Sequence, residues 1–129
     1  MPLSALVKEG FSIHPAYDGG ALRLSIRGYA DADVQPVLEP YFSQVHAEAQ
    51  TENMSEVVVD VHELVFINSS GFKALVGWLG QLNTLAPQRQ YRIRFVRNAG
   101  QRWQVRSFDA LQRMSCGLVS IEDWDGKAA

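Results

Sequence analysis

The stretch VFINSSGFKAL, from Val65 to Leu75, joins two apolar segments of different period through Asn-Ser-Ser-Gly. Before it, Glu56 to Val61 is rich in β-branched residues and nearly continuous in apolarity, which is typical of a strand buried on both faces of a parallel sheet. After it, apolar residues recur with helical spacing from Phe72 to Leu82, ahead of Pro87. The stretch is therefore predicted to contain the end of a buried strand and the start of a helix.

The remaining segments continue this alternation of strands and helices. The predicted order is β-β-α-β-α-β-α-β, which indicates an α/β fold with an opening β-hairpin, then βαβαβαβ, and a mostly parallel central sheet. With 129 residues, one domain over 1–129 is expected. The other predicted elements are strands near Phe11–Ile13, Ala21–Arg27, Tyr91–Phe95 and Leu118–Ile121, and helices near Val34–Gln50 and Arg102–Met114.

Local signals refine the first half of this prediction. Asp18-Gly19-Gly20 is turn chemistry and favours the opening hairpin. Asp31 and Asp33 are expected to cap the first helix with their carboxylates. Pro40 falls several residues inside that helix and removes a backbone hydrogen bond, so a kink or a late start is expected there.

Composition excludes several classes of protein. No apolar run approaches the roughly 18–20 residues that cross a bilayer, and the N-terminus lacks the pattern of a signal peptide, so a soluble, cytoplasmic protein without membrane insertion is expected. Cys116 is the only cysteine, which excludes an intrachain disulfide and a multi-cysteine metal site. His14, His46 and His62 lack ligand-like spacing, so no metal or cofactor is expected.

The charges are distributed unevenly along the chain, although the net charge is only −2. Up to Glu63 there are ten acidic residues against three basic ones, and from Val65 onward there are nine basic residues against four acidic ones. A folded domain can mix these halves in space, and the arginines belong to no recognisable nucleic-acid-binding motif. Nucleic acid is therefore not predicted as a partner.

Ser69 and Ser70 fall where the second helix should begin. Serine is a preferred N-cap residue, so capping accounts for one of them. It does not account for two serines followed by Gly71. The partial positive charge at a helix N-terminus can accommodate a phosphate, so a phosphoserine here would change the surface with little damage to the fold.

The block VVVDVHELVFINSSGFKAL, the later strand RIRFVRN and the order of elements together resemble the STAS family, whose bacterial members include anti-sigma factor antagonists. The resemblance covers about Phe11 to Glu122, and FINSSGFKAL is similar to the family's Asp-Ser-Ser/Thr-Gly motif. In that family a switch kinase phosphorylates the serine or threonine directly before the glycine, and a phosphatase reverses this. By position, that residue is Ser70.

The resemblance implies a regulatory module that binds proteins and is not an enzyme. Its partners would be a serine kinase or anti-sigma-type protein and a phosphatase, and phosphorylation of Ser70 would switch between bound states. The residues expected at the partner-binding site are Asn68, Ser69, Ser70, Gly71, Phe72, Lys73 and Trp78.

Asn68 occupies the position of the motif's acidic residue and lacks its negative charge. This departure favours an alternative within the same fold, namely a non-switching STAS subunit that docks on a membrane transporter complex.

The helix after the motif carries a second indication of a partner. Gly77 and Gly80 each cost roughly 0.5–1 kcal/mol relative to alanine inside a helix, which favours the close approach of another molecule. Trp78 beside this small-residue surface is typical of a protein interface, and packing under a neighbouring loop accounts for it equally well.

A serine-hydrolase function is not predicted. The sequence Ile67-Asn68-Ser69-Ser70-Gly71 lacks the first glycine of Gly-x-Ser-x-Gly, and no histidine follows the serines. His62 precedes them, with only Asp60 or Glu63 to orient it. A phosphate-binding loop with its lysine is also absent from the sequence.

Overall fold

The strand predicted at the centre of the chain lies inside a six-stranded sheet whose spatial order follows the sequence. The structure is a computed structural model that describes residues 3–115 and 117–126, so Cys116 lies outside the described residues. The strands are β1 (Leu6–Lys8), β2 (Phe11–Asp18), β3 (Ala21–Ala30), β4 (Glu56–Ile67), β5 (Arg92–Arg97) and β6 (Val119–Asp123). The first two pairings are antiparallel, and β3, β4, β5 and β6 run parallel to one another.

Three helices connect the parallel strands: α1 (Gln35–Thr51), α2 (Ser69–Asn83) and α3 (Arg102–Arg113). Crossovers between parallel strands are right-handed as a rule, so three crossovers in the same direction place their helices on one face of the sheet. The single core cluster agrees with this arrangement, because it joins residues from all three helices with alternate strand residues such as Leu22, Leu24, Val57 and Val59. The predicted α/β fold with an opening hairpin and a mostly parallel sheet is confirmed.

Strand β1 was absent from the predicted order. It is three residues long and pairs with the start of β2, so it carries too little periodicity to identify from sequence. Leu6 packs against the core and the next residue, Val7, is also apolar but 67% exposed, so the segment lacks the alternation of apolar and polar residues that indicates a strand.

The start of α1 differs from the prediction. The carboxylates do not cap the helix: Val34 is the N-cap and makes no side-chain cap hydrogen bond, whereas Asp31 Oδ1 accepts from the backbone N–H of Asp33 at 3.1 Å. The helix begins at Gln35, ahead of Pro40, so the predicted late start is wrong. Pro40 is exposed, which allows water to replace the missing backbone donor.

The sheet face opposite the helices is polar, and its buried charge is paired. Asp60 is 7% exposed, and its carboxylate accepts from Arg23 Nη2 at 2.7 Å and contacts His62 Nδ1 at 2.5 Å. Trp124 stacks on the imidazole of His62, with ring centroids 4.1 Å apart. Arg94 on the same face pairs with carboxylates of β4 and β6. Arg23 and Arg94 on this face are therefore each paired with acidic residues of neighbouring strands.

A chain of hydrogen bonds joins α1 and α2 to Tyr91, the residue directly before β5. Trp78 Nε1–H donates to Tyr91 Oη at 2.7 Å, and His46 Nδ1 lies 2.7 Å from the same oxygen. Because that oxygen already accepts from Trp78, its own proton is available for His46 Nδ1, which requires a neutral imidazole. Burial, with a smaller effect of Arg89, lowers the pKa of His46, and burial raises the pKa of Tyr91.

Gly28 is required where β3 passes the turn between β1 and β2. Its φ is +95°, and a Cβ placed there would lie 2.0 Å from the carbonyl oxygen of Gly10. That oxygen accepts a hydrogen bond from the backbone N–H of Tyr29 at 2.8 Å, so the two segments cannot separate freely. In contrast, a Cβ on Gly77 or Gly80 of α2 would meet no atom within 4 Å.

Glycine substitutions at these two kinds of position are expected to have opposite effects. Gly28→Ala should lower the free energy of unfolding by roughly 3 kcal/mol or more, through backbone strain and the clash with Gly10. Gly80→Ala, the matched control, should raise it by about 0.5–1 kcal/mol, because alanine favours the helix and finds open space. Urea denaturation of the three proteins measures both changes, and a stable Gly28→Ala protein would contradict this account.

His46 is expected to make stability depend on pH. Because its folded pKa lies below the unfolded value of about 6.5, its contribution is complete above that value and is lost as the pH falls through the folded pKa. His46→Gln keeps an acceptor for Tyr91 without titrating in this range. The wild type should therefore lose urea stability relative to His46→Gln between pH 7 and pH 5, and equal pH slopes for the two proteins would refute the assignment.

Candidate functional site

The site begins at Asn68, which ends β4 and starts α2. Its side-chain Oδ1 accepts from the backbone N–H of Gly71 at 2.7 Å, so Asn68 is the N-cap of the helix. Its own backbone N–H donates to the carbonyl oxygen of Ala30 at 3.0 Å. The cap thus ties the start of α2 to the end of β3. The prediction that one of the serines caps the helix is wrong, because Asn68 already supplies the acceptor.

Gly71 is buried beneath this cap. A Cβ there would lie 3.1 Å from Asn68 Oδ1, 3.1 Å from Ile67 Cγ1 and 3.2 Å from Leu38 Cδ1. These distances are tighter than ordinary contacts, so the glycine allows α1, α2 and the end of β4 to meet closely. Gly71 belongs to the packing beneath the site and presents no surface to a partner.

Ser69 and Ser70 are the first two residues of α2, and both are exposed. The first turn of the helix contains no acidic residue, and Lys73 is exposed one turn further on. The unpaired N–H groups of a helix start carry partial positive charge, which Lys73 reinforces. The two hydroxyls therefore lie on a positively polarised surface that solvent can reach.

An apolar groove of 620 Å³ adjoins the serines. Phe66 is 46% exposed at the end of β4, and Phe72 and Trp103 are half-buried on α2 and α3. The groove is lined by Phe66, Ile67, Ser69, Phe72, Lys73, Trp103 and Ser107. Ser69 is thus part of the groove wall, whereas Ser70 is not among the lining residues.

Gln104 holds α3 against β4 behind the groove. Its side chain is fully buried, and Nε2 donates to the carbonyl oxygens of Val61 at 2.7 Å and Leu64 at 2.8 Å. Its Oε1 accepts from the backbone N–H of Asn98 at 2.7 Å. The pairing of β3 with β4 changes register in this part of β4, and the glutamine satisfies the carbonyls that the irregular segment leaves unpaired.

Arg97 reinforces the same attachment at the end of β5. Its guanidinium pairs with Asp123 and Asp109 at 2.8 Å each and donates to the carbonyl oxygen of Val105 at 3.2 Å. The hydrogen bond to Asp123, with a further one to Asp109, raises the pKa of Arg97. The wall that α3 contributes to the groove is therefore fixed from two sides.

The structure brings together five of the seven residues predicted at the partner site, and it buries the other two, Gly71 and Trp78. Asn68, Ser69, Ser70, Phe72 and Lys73 lie together at the start of α2. Trp78 is only 2% exposed: its ring stacks on Phe42 of α1, and its Nε1–H is bonded to Tyr91. The prediction of Trp78 as a surface contact is wrong, because α1 covers the flank of α2 that a helical wheel leaves open.

Three residues of the site escaped the sequence prediction. The sequence assigns Phe66 to the motif FINSSGFKAL and Trp103 to the third helix and predicts neither at the partner site, although both line the groove. Gln104 gave no signal, since its three hydrogen-bond partners lie in other elements. The signal that could have indicated Phe66 is an aromatic residue near the end of a predicted strand, two positions before Asn68-Ser69-Ser70.

Neither a hydrolase arrangement nor a metal site is formed at this location. Both ring nitrogens of His62 face carboxylates, Nδ1 toward Asp60 at 2.5 Å and Nε2 toward Glu63 at 3.5 Å, so neither is turned to the serines. Within residues 3–115 and 117–126, no group of three His, Asp or Glu side chains could hold a metal ion. No helix in the described part of the chain combines the length and apolarity needed to cross a membrane.

Solved structures with the same arrangement of elements include anti-sigma factor antagonists. The crystal structure of one from Mycobacterium paratuberculosis matches with a TM-score of 0.64 at 16% identity, covering 90% of this chain and 88% of that chain. The anti-sigma factor antagonist SpoIIAA in its unphosphorylated form matches with a TM-score of 0.55 at 14% identity, covering 91% and 89%. Protein-family models and curated protein sequences give no match. The chain therefore has the STAS fold that the motif implied.

The role of Asn68 can be tested by two substitutions at the same position. Asn68→Ala removes the acceptor for the Gly71 N–H and should lower the free energy of unfolding by about 1 kcal/mol. Asn68→Asp keeps the acceptor and adds a charge that the helix dipole favours, so stability should stay the same or rise by about 0.3–1 kcal/mol. Urea denaturation at neutral pH measures both effects. Equal losses for the two variants would contradict a capping role for the side-chain oxygen.

Proposed function

We propose that this chain is a regulatory protein-binding module of the anti-sigma factor antagonist kind, which changes partners when Ser70 is phosphorylated. The observation that carries the proposal is the exposed position of Ser70 at the second residue of a long helix that Asn68 already caps. Ser70 is not needed to cap the helix, so its hydroxyl is available to a kinase. The likeness of the fold to anti-sigma factor antagonists supports the same role.

A phosphate on Ser70 would change the surface more than the fold. It adds about −1.5 to −2 charges to a helix start that contains no acidic residue in its first turn. The helix dipole and Lys73, three residues later, both favour that added charge. Positive potential at the site becomes negative, while the cap and the buried Gly71 stay in place. A partner that binds the unmodified surface is then released.

The expected partners are a serine kinase or anti-sigma-type protein, which binds the unphosphorylated form, and a phosphatase, which restores that form. Such a cycle belongs to the cytoplasm and requires no catalytic activity of this chain. The two ring nitrogens of His62, the nearest histidine in the sequence, face Asp60 and Glu63, which favours a substrate role for Ser70 over a nucleophilic one.

The alternative function is a non-switching subunit that docks on a membrane transporter complex. It was favoured by the missing acidic residue at position 68. However, Asn68 supplies through its amide oxygen the same hydrogen bond to Gly71 that an aspartate would supply. The loss of charge leaves the geometry of the serines intact, so Asn68 gives no strong reason to prefer a non-switching role.

Partner binding by charge variants tests the switch. Tagged wild type, Ser70→Ala and Ser70→Asp are expressed in the protein's own cells, and copurifying proteins are quantified by mass spectrometry. A protein retained by wild type and Ser70→Ala should fall at least about tenfold with Ser70→Asp, because the added carboxylate reverses the local potential. Melting temperatures should differ little, since the substitution lies at an exposed helix start.

Ser43→Asp provides the matched control, because Ser43 is exposed on α1 and undergoes the same change of charge. It should retain the partner. If Ser70→Asp retains the same soluble partners as wild type, the switch is refuted. Retention of a membrane complex by all four proteins would instead establish the transporter-docking alternative.

A further inference from the structure

The groove beside the serines has the chemistry of a peptide-binding site. Three aromatic rings and Ile67 form its apolar surface, and Ser69 and Lys73 place a hydroxyl and a cation at its edge. We propose that this groove, formed by the end of β4, the start of α2 and the face of α3 next to them, binds a short acidic amphipathic segment of the protein partner. The inference rests on the proposed function and specifies how the partner is recognised.

The walls of the groove are held in place without a ligand. Phe72 packs edge-on against buried Phe108, with centroids 6.3 Å apart, and Trp103 Nε1–H donates to Gln101 Oε1 at 2.8 Å. Gln104, the next residue along α3, is bonded to two carbonyls of β4. A groove with fixed walls loses little entropy on binding, which favours recognition of a short segment.

Exposed apolar surface continues beyond the groove itself. Tyr29 pairs with Phe66 across β3 and β4, and the two side chains are 54% and 46% exposed. Aromatic residues at this exposure are enriched in protein interfaces relative to the remaining surface. The volume of 620 Å³ has room for only a few side chains, so the occupant is a segment that inserts two or three apolar residues.

Charge determines which kind of segment fits. Lys73 lies in the wall. Arg102 and Arg106 are exposed on α3, one residue before and three residues after Trp103, and neither is among the lining residues. The nearest acidic residue on α3, Asp109, is already paired with Arg97. The helix dipole of α2 adds further positive potential at Ser69. An apolar groove with a positive rim is complementary to apolar residues flanked by carboxylates.

Aromatic and basic residues also occur together at single-stranded nucleic-acid sites, but two features favour a peptide here. Phe72 and Trp103 each pack against the ring of Phe108, with centroids 6.3 Å apart in both pairs, so neither ring is an isolated stacking platform. Moreover, Arg94 and Arg97 are neutralised by carboxylates, which leaves no continuous basic track in the described sheet.

This location explains how Ser70 would control binding. Ser69 lines the groove and Ser70 is the next residue, so a phosphate on Ser70 introduces negative charge beside the positive rim. An acidic segment would then be repelled, although the apolar walls are unchanged. The two serines have different roles: Ser69 contacts the bound segment, and Ser70 carries the modification.

The test uses the whole chain and a phage-displayed library of random peptides about 12 residues long, a length that spans roughly three helical turns. Selected peptides should combine aromatic or aliphatic residues with Asp or Glu. Phe66→Ser and Lys73→Glu should each weaken a selected synthetic peptide by at least about tenfold, as measured by fluorescence anisotropy. Both positions are exposed, and circular dichroism checks that the variants remain folded.

Val7→Ser and Lys8→Glu on β1 are the matched controls, because they make the same kinds of change at exposed positions on the sheet edge. Both should bind the peptide like wild type. Failure to select any peptide, selection of peptides without acidic residues, or equal binding by all variants would overturn the proposal. So would tighter binding of a single-stranded oligonucleotide than of the peptide.

Ser70→Asp separates this proposal from the switch. If the groove variants lose the peptide and Ser70→Asp keeps it, peptide binding in the groove is supported and its control by phosphorylation of Ser70 is refuted. If the groove variants keep the peptide while Ser70→Asp loses it, the groove is refuted and a switch at Ser70 remains.

Discussion

The hydrogen bond from the Gly71 N–H to the side-chain oxygen of Asn68 is the contact on which the site depends. It ends β4 and starts α2 within one residue, and the backbone of Asn68 fixes that junction to Ala30 at the end of β3. Because Asn68 satisfies the helix start, neither serine is needed for capping. The buried glycine below then brings α1 close, so the hydroxyls are presented on a rigid base.

Local signals were sufficient for most of the fold. The β-branched run of β4 and the helical spacing of α2 each identify an element without reference to the remainder of the chain. Trp78 was misassigned because its burial depends on Phe42 of α1, 36 positions earlier in the sequence, and no periodicity within α2 reports that contact. The role of Gln104 could not be predicted for the same reason, since its hydrogen-bond partners are carbonyl oxygens of β4, about 40 positions earlier in the sequence. At the helix start, both serine and asparagine are good caps, so sequence alone could not choose between them.

The polar sheet face and the apolar groove differ in how their charged and apolar side chains are satisfied within the fold. On the open sheet face, arginines are paired with carboxylates, and the stacked His62 and Trp124 cover Asp60. At the start of α2 the opposite holds: Lys73 lines the groove, and aromatic side chains remain partly exposed. In the proposed function, the groove edge is where a partner would gain most from apolar burial and complementary charge. A phosphate on Ser70 would change the charge and leave the apolar surface unaltered.

The central claim is that Ser70 is modified in the cell while the fold around it is preserved. The most direct measurement is intact-mass analysis with site mapping of the protein isolated from its own cells, before and after phosphatase treatment. The account predicts a single phosphate on Ser70, removed by phosphatase and missing from Ser70→Ala. A phosphate that persists in Ser70→Ala, or protein that carries none in cells where its partner is present and dissociated, would contradict it.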